Sequence, residues 1–239
     1  MSIERRQFLA WGAVAAAALA PGIRLVELAL ARSPSEAAST LRRWGLLIDT
    51  AGCADCDECV TACHEENAIK GNGRPQTDPQ WIRKVNLRDK ATGNAQSLPL
   101  MCQHCEHAPC VDVCPTGASF RRDDGIVLVD KHTCIGCRYC VLACPFGARS
   151  FVHEAVSGQK ADVPRGKGTV EACTLCVHRV DRGEGPACVE ACDRAGRKAM
   201  TFGDLNDATS DIRQRLARAP SAQLRADLAL DAHVRYQGL

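Results

Sequence analysis

The chain has 239 residues, sixteen of them cysteines, and its formal net charge is +2. Aromatic residues make up only 4% of the chain, which excludes a large aromatic core, so disulfides, zinc or iron–sulfur clusters must cross-link it instead. The near-neutral charge and the lack of a long basic run exclude a nucleic-acid-binding protein.

The first 31 residues have the features of an export signal. Residues 4–9 contain a twin-arginine pattern, an alanine-rich apolar stretch follows at 11–20, and residues 29–31 form a small-x-small cleavage pattern. The alternative is a membrane anchor, but Pro21 and Arg24 interrupt the apolar run before the roughly 18 residues that span a bilayer. We therefore predict export of the folded chain to the periplasm by the twin-arginine route, after the thiolates have acquired metal in the reducing cytosol.

Three stretches predict strands. Residues 44–49 form a short apolar strand that leads into the first cysteines. Residues 81–86 alternate with period two, and residues 98–101 return antiparallel to them across a polar loop at 88–97. The clearest hairpin joins 119–121 to 126–129, because the Asp124-Gly125 step suits a tight turn. Residues 59–68 and 140–144 each predict a short helix.

The cysteines form four quartets with none left over. The first and third have the spacing C-x2-C-x2-C-x3-C, the second has C-x2-C-x4-C-x3-C, and the fourth has C-x2-C-x11-C-x3-C. Three thiolates at short gaps wrap one cubane, and the cysteine three residues further on ligates the other cluster of a pair. The spacing therefore predicts [4Fe–4S] clusters on these residues: Cys53, Cys56, Cys59, Cys63; Cys102, Cys105, Cys110, Cys114; Cys134, Cys137, Cys140, Cys144; Cys173, Cys176, Cys188, Cys192.

Two other uses of the cysteines are weighed against clusters. A structural zinc module uses two C-x2-C pairs for one ion, which fits three cysteines within seven residues poorly. A disulfide scaffold suits the even count but does not explain a fourfold repeated spacing. The sequence has no C-x-x-C-H for covalent haem. His104 and His107 lie inside the second quartet, where we expect them beside the site rather than as ligands.

The remaining segments predict a loop and a tail. Residues 157–168 form a polar loop before the fourth quartet. Residues 207–217 and 222–230 predict helices whose charged residues form a solvated face, and this tail is expected to wrap the core or touch a partner. No run of about 18 apolar residues follows residue 31, so we expect no direct membrane span in the mature chain.

The four quartets behind a twin-arginine signal resemble the four-cluster iron–sulfur subunits of the dimethyl sulfoxide reductase superfamily, over about residues 44–202. The resemblance implies an α+β fold with tandem bacterial-ferredoxin-like halves of short β-hairpins and helices, spanning 44–203, and a helical C-terminal tail at 204–239. It also implies that quartet one pairs with four and quartet two with three. His64 and Asp193 stand where a family proline often follows the last cysteine, which affects the local backbone rather than the cluster number.

The pairing implied by the resemblance gives four ligand sets. They are Cys53, Cys56, Cys59 with Cys192; Cys173, Cys176, Cys188 with Cys63; Cys102, Cys105, Cys110 with Cys144; and Cys134, Cys137, Cys140 with Cys114. The implied role is one-electron transfer without catalysis, since no flavin, molybdopterin or nicotinamide signature accompanies the cysteines.

Segments 43–49, 173–181 and 202–207, with the ending 234–239, resemble more narrowly the iron–sulfur subunits of sulfite-reductase-linked membrane complexes. That narrower resemblance implies a role in dissimilatory sulfur metabolism. Its implied partners are a polytopic quinone-interacting membrane subunit and a periplasmic multihaem cytochrome or other redox subunit. Two alternatives stay open: a subunit of a molybdopterin reductase acting on tetrathionate, thiosulfate or polysulfide, and a structural zinc-binding module.

Overall fold

The computed structural model describes residues 38–53 and 56–239, so the predicted signal at 1–31 lies outside the described residues. Short helices and small sheets make up this part of the chain, which confirms the predicted α+β class. The α-helices are Glu58–Glu66 (α1), Pro109–Asp112 (α2), Tyr139–Ala143 (α3), Val177–Val180 (α4), Ala187–Arg194 (α5) and Asp211–Arg218 (α6), with 3-10 turns at Thr50–Cys53 and Ala226–Leu228. The strands are Trp44–Asp49 (β1), Ile82–Arg88 (β2), Ala95–Met101 (β3), Ser119–Arg121 (β4), Val127–Val129 (β5), Ser150–Phe151 (β6), Val170–Glu171 (β7), Met200–Asp204 (β8) and Val234–Gln237 (β9).

The largest sheet joins segments that are far apart in the sequence. Strand β1 lies between β8 and β9, antiparallel to the first and parallel to the second, with Leu46 opposite Val234. Leu46, Leu47 and Ile48 are all buried. A central strand is covered on both faces, which explains why this stretch is a continuous apolar run without polar alternation.

Both predicted hairpins form. Strands β2 and β3 pair along their full lengths, so they extend beyond the predicted residues 81–86 and 98–101 and leave a loop at 89–94 only. The turn is closed by Asp89, whose carboxylate accepts hydrogen bonds from the amides of Ala91 and Thr92. These bonds satisfy the turn backbone, so the polar residues on either side of it can remain in the ladder.

The second hairpin, β4–β5, depends on a glycine. Gly125 has a φ of +88°, in the left-handed region that side chains disfavour. A Cβ at this position would lie 2.3 Å from Cε1 of His233. The turn therefore requires glycine twice, once for the backbone angle and once because an imidazole packs directly against it.

The helices that carry cysteines pack in two pairs. Helix α1, from the first quartet, packs against α5, from the fourth. Helix α2, from the second quartet, packs against α3, from the third. In residues 38–53 and 56–239, no helix is both long and apolar enough to cross a bilayer.

The tail differs from its prediction. Helix α6 forms within the predicted region, and its N-cap Ser210 accepts a hydrogen bond from the amide of Arg213. The helix predicted at 222–230 is wrong, because only the 3-10 turn at Ala226–Leu228 is helical there. The residues flanking that turn, Arg225 and Ala229, have left-handed φ angles of 53° and 50°. The chain then continues into β9, which pairs with β1.

Tyr236 gives a test of this strand's contribution to stability. It is fully buried, and its hydroxyl donates to the Pro99 carbonyl oxygen at 3.1 Å and accepts from Gln103 Nε2 at 3.2 Å. Tyr236→Phe leaves both partners buried without it, so we expect the free energy of unfolding to fall by about 1–3 kcal/mol. Anaerobic denaturant titration measures this, with Tyr139→Phe on an exposed tyrosine as the control. Equal stability of the two variants would contradict the assigned role.

Candidate metal centres

All sixteen cysteines are among the described residues, and each is a free thiol. Residues 54–55, between Cys53 and Cys56, are not described. Most are buried, whereas Cys137 is exposed. The arrangement therefore does not support the disulfide alternative.

The sulfur of Cys192, from the fourth quartet, lies with the first quartet. Cys59 lies near Cys53, Cys56 and Cys192, and these four side chains line one pocket. The 3-10 turn after β1 ends at Cys53, α1 carries Cys59, and α5 carries Cys192. We call these residues group 1.

The reciprocal exchange places Cys63 with the fourth quartet. The Cys63 thiol interacts with those of Cys173, Cys176 and Cys188. These four side chains and Trp81 line a second cavity. Because α1 carries both Cys59 and Cys63, the packing of α1 against α5 brings this set, group 2, next to group 1.

The second quartet receives a cysteine from the third. Cys105 interacts with Cys110 and Cys144, and Cys102 also interacts with Cys110. Helix α2 carries Cys110, while Cys144 follows the end of α3. These four thiols form group 3.

The third quartet receives Cys114 in return. Cys140, on α3, interacts with both Cys134 and Cys114. Cys137 lies in the loop before α3 and is exposed. We call Cys114, Cys134 and Cys140, together with Cys137 from the same quartet as Cys134, group 4; it contains the exposed thiol.

The four groups follow one another in a row. Thiols of successive groups are near one another at each junction: besides burial, Cys59 raises the pKa of Cys188, Cys173 raises that of Cys102, and Cys140 raises that of Cys110. The order is therefore group 1, group 2, group 3 and group 4, and it does not follow the order of the quartets along the chain.

Burial keeps isolated thiols protonated here. Burial raises the pKa of the Cys59, Cys105 and Cys173 thiols to about 12. A buried thiolate becomes favourable when a cation lies beside it, and a coordinating metal deprotonates a thiol outright. The thiols therefore need a metal to become ligands.

The last cysteine of each quartet accepts a hydrogen bond at its sulfur. The Asn67 side-chain amide donates to Cys63 at 3.6 Å. Backbone amides donate to the other three: Ser119 to Cys114 at 3.3 Å, Ala148 to Cys144 at 3.5 Å and Ala199 to Cys192 at 3.3 Å. Donors of this kind stabilise a thiolate and raise the reduction potential of a cluster that it ligates.

Several buried donors near the cysteines have no oxygen or nitrogen atom of the protein to bond to. Among the described residues, His104 Nε2, Ser119 Oγ and the three guanidinium nitrogens of Arg149 have no oxygen or nitrogen acceptor. Buried polar groups are nearly always hydrogen-bonded in native structures, so acceptors are expected here. The sulfides of a cubane are such acceptors, and the residues present therefore fit [4Fe–4S] clusters.

A single metal ion fits less well. In the part of the chain that the structure describes, no three His, Cys, Asp or Glu side chains form a group that could hold one metal ion. A tetrahedral zinc site draws its ligands to about 2.0–2.3 Å from one ion. The thiols of groups 1 and 2 line cavities instead, which does not support the zinc alternative.

The two histidines of the second quartet differ in environment. His104 is fully buried, and its Nδ1 accepts a hydrogen bond from the Val127 amide at 3.0 Å. Burial lowers the pKa of His104 to about 3, so its ring stays neutral. His107 is exposed.

Sequence reasoning missed two cations beside the sulfur groups. Lys84 Nζ, on β2, donates to the carbonyl oxygens of Cys53 and Cys56. Arg149 is only 5% exposed and interacts with thiols of groups 3 and 4. The one sequence feature that places Arg149 near a cysteine is its position in the Cys-Pro-Phe-Gly-Ala-Arg run. The alternating pattern of β2 gave no indication that Lys84 lies beside cysteines.

Three exposed apolar side chains lie close in sequence to the exposed thiol of group 4. Ile135 is 67% exposed, Tyr139 is 58% exposed and Leu142 is 83% exposed. All three are close to Cys137 along the chain, on the loop before α3 and on α3 itself. We call these four residues the Cys137 patch.

Family models match two parts of the chain. The model described as a 4Fe-4S dicluster domain matches residues 94–205. The model of the twin-arginine translocation pathway signal sequence matches residues 2–22. The second match confirms the predicted export signal and export to the periplasm, and the first confirms a ferredoxin-like fold that binds [4Fe–4S] clusters.

Curated relatives match nearly the full length. An Hdr-like menaquinol oxidoreductase iron-sulfur subunit from Archaeoglobus fulgidus is 42% identical over 99% of this chain and 98% of the relative. A tetrathionate reductase subunit from Salmonella typhimurium is 36% identical over 100% of this chain and 90% of the relative. A putative dimethyl sulfoxide reductase iron-sulfur subunit from Halobacterium salinarum is 37% identical over 82% of this chain and 79% of the relative.

A buried ion pair next to the group 2 cavity allows a test of what stabilises the structure there. Trp81 lines that cavity and donates through Nε1 to Glu171 Oε2 at 3.0 Å, while Arg165 pairs with the same carboxylate at 2.9 Å. Arg165→Met strands the buried charge of Glu171, so we expect the free energy of unfolding to fall by about 3–5 kcal/mol. Anaerobic denaturant titration measures the fall.

The control is Arg225→Met, which removes an exposed ion pair with Asp227 and should cost less than about 1 kcal/mol. Comparable losses in the two variants would show that the buried pair does not support this cavity.

Proposed function

This chain belongs to the ferredoxin-like [4Fe–4S] electron-transfer subunits of the molybdopterin oxidoreductase family, and on that premise we propose that four clusters in a row relay single electrons between a periplasmic redox partner and a quinone-interacting membrane subunit. The protein is exported and is not itself catalytic. When bound, the clusters supply one-electron redox chemistry, while the chain holds, spaces and hydrogen-bonds them.

The proposed ligand sets are groups 1 to 4 as defined above, within a cluster domain at 44–203 that is followed by a tail at 204–239. One observation supports the proposal: the last cysteine of every quartet lies near at least one cysteine of its partner quartet. This exchange is what paired ferredoxin clusters require, because the fourth ligand comes from the other motif. The contacts between successive groups support a continuous path for electrons.

We also propose which kind of complex contains this protein. We infer a membrane complex of the DsrO-containing type, DsrMKJOP, in dissimilatory sulfur metabolism, with a polytopic quinone-interacting subunit and a periplasmic multihaem cytochrome as partners. Support comes from the 42% identity to a subunit named for menaquinol oxidoreduction, over nearly all of both chains.

A second candidate is the electron-transfer subunit of a molybdopterin reductase for tetrathionate, thiosulfate or polysulfide. The 36% identity to the tetrathionate reductase subunit over the whole chain favours it. Purifying the native complex from detergent-solubilised membranes separates the two candidates. A quinone-interacting subunit and multihaem cytochrome support the first, and a molybdopterin subunit supports the second.

We propose that the membrane subunit docks on the Cys137 patch. Electrons leave a relay where a cluster approaches the surface, and group 4 contains the exposed thiol. Permanent interfaces have apolar centres, whereas a transient cytochrome contact depends more on complementary charge. The exposed side chains of Ile135, Tyr139 and Leu142 are apolar, so they favour the permanent membrane partner over the cytochrome.

Cysteine variants test the four-cluster relay and the ligand exchange together. The wild-type protein, purified anaerobically, should contain about sixteen irons and sixteen sulfides, four of each per cluster. Cys192→Ser and Cys59→Ser should alter the same cluster's electron paramagnetic resonance (EPR) signal, since both belong to group 1. Cys188→Ser, on the same helix as Cys192, is the matched control and should alter a different signal. An iron content well below sixteen, or a shared signal for Cys192→Ser and Cys188→Ser, would refute the proposal.

Two exposed leucines test the docking surface. Leu142 is 83% exposed within the patch, and Leu41 is 81% exposed outside it. Leu142→Asp places a charge in the apolar contact, so we expect at least a tenfold loss of the protein retained on native membranes, with iron content unchanged. Leu41→Asp should be retained like the wild type. Equal retention of both variants would rule out this surface, and loss of the cytochrome alone would reassign it to the soluble partner.

A further inference from the structure

Arg149 is a buried cation without a carboxylate partner among the described residues. It lies between α3 and β6, is 5% exposed, and none of its guanidinium nitrogens has an oxygen acceptor. Burying a charge without compensation is costly, and Arg remains protonated at any accessible pH. An anion must therefore lie against this guanidinium in the native protein.

The neighbours of Arg149 identify where that anion lies. The guanidinium interacts electrostatically with the thiols of Cys102 and Cys110, in group 3, and of Cys140, in group 4. Thiolate-ligated cubanes are anionic, and each gains one further negative charge when it is reduced.

The other half of the relay has a different arrangement. Lys84 interacts with the thiols of Cys53 and Cys59, which both belong to group 1. Its ammonium is held by two backbone carbonyl oxygens of the same loop. Lys84 therefore faces one group, whereas Arg149 lies between two.

We propose that Arg149 is a shared counter-cation that raises the reduction potentials of the two clusters in groups 3 and 4 together. The inference rests on the proposed four-cluster function. A positive charge between two anionic centres stabilises an added electron on either one, and the low-dielectric interior screens this attraction little. The planar guanidinium has five N–H donors, so it can face sulfurs of two clusters at once. Arg149 is thus a positioning residue for charge and does not itself carry electrons.

Redox titration of the purified full-length protein, followed by EPR, tests this role. In Arg149→Met, we expect the one-electron reduction equilibria of two of the four clusters to fall at least tenfold each, which is about 59 mV. Arg149→Gln, which keeps N–H donors but loses the charge, should shift the same two clusters. Arg149→Lys should restore most of the potential.

Two control variants make the pattern specific. Lys84→Met should lower the potential of one cluster, and that cluster should not be among the two affected by Arg149→Met. Arg83→Met removes a neighbouring cation that binds the carbonyl oxygens of Phe146 and Gly147, so it should shift none.

The outcomes separate this inference from the proposed function. A wild-type iron content well below sixteen defeats the four-cluster function itself. With sixteen irons present, a shift in one cluster, in all four or in none overturns the shared role. If the neutral variants lose iron, disappearance of the same two signals supports the proposal, whereas loss of one signal or of all four overturns it.

Discussion

In the proposed ligand sets, each pair of cysteine quartets exchanges its last sulfur, and this exchange requires particular segments of the chain to pack together. Cys63 and Cys192 lie on α1 and α5, so these helices must pack closely enough for each to reach the other's loop. The same requirement brings α2 against α3. The second and third quartets are joined by the β4–β5 hairpin. The first quartet precedes them in the chain and the fourth follows them. The nesting explains why the order of the sulfur groups differs from the order of the quartets.

Burial of the thiols gives the protein a strong dependence on its cofactor. The thiol pKa values raised by burial favour the protonated form, and Arg149 and several neutral donors lack acceptors without an anion. An iron–sulfur cubane would compensate both effects. Its iron cations ionise the thiols, and its sulfides accept hydrogen bonds. Cluster binding is therefore part of folding stability and not only of redox function. The amide donors at the crossing sulfurs then help to set the local potential.

The sequence predicted what is local and what is chemically constrained. Cysteine spacing identified the quartets, and the Asp-Gly step identified the turn at Gly125, because both are properties of a few adjacent residues. The fold class followed from the same motifs. Strand β9 was missed, since its four residues pair with β1 from the opposite end of the described chain and carry no turn signal. Lys84 and Arg149 were missed for a related reason: their charges are ordinary in sequence, and only the fold places them against sulfur.

The pairing of β1 with β9 also affects when the protein can mature. The sheet beside group 1 has its central strand at residues 44–49 and one edge at 234–237, so it stays incomplete until that last strand has left the ribosome. Group 1 likewise waits for Cys192. On the proposed ligand sets, the cluster of group 1 can be completed only after Cys192 has been synthesised, although the signal that directs export emerges first. The proposed assembly therefore requires export to wait until both Cys192 and β9 are available for folding.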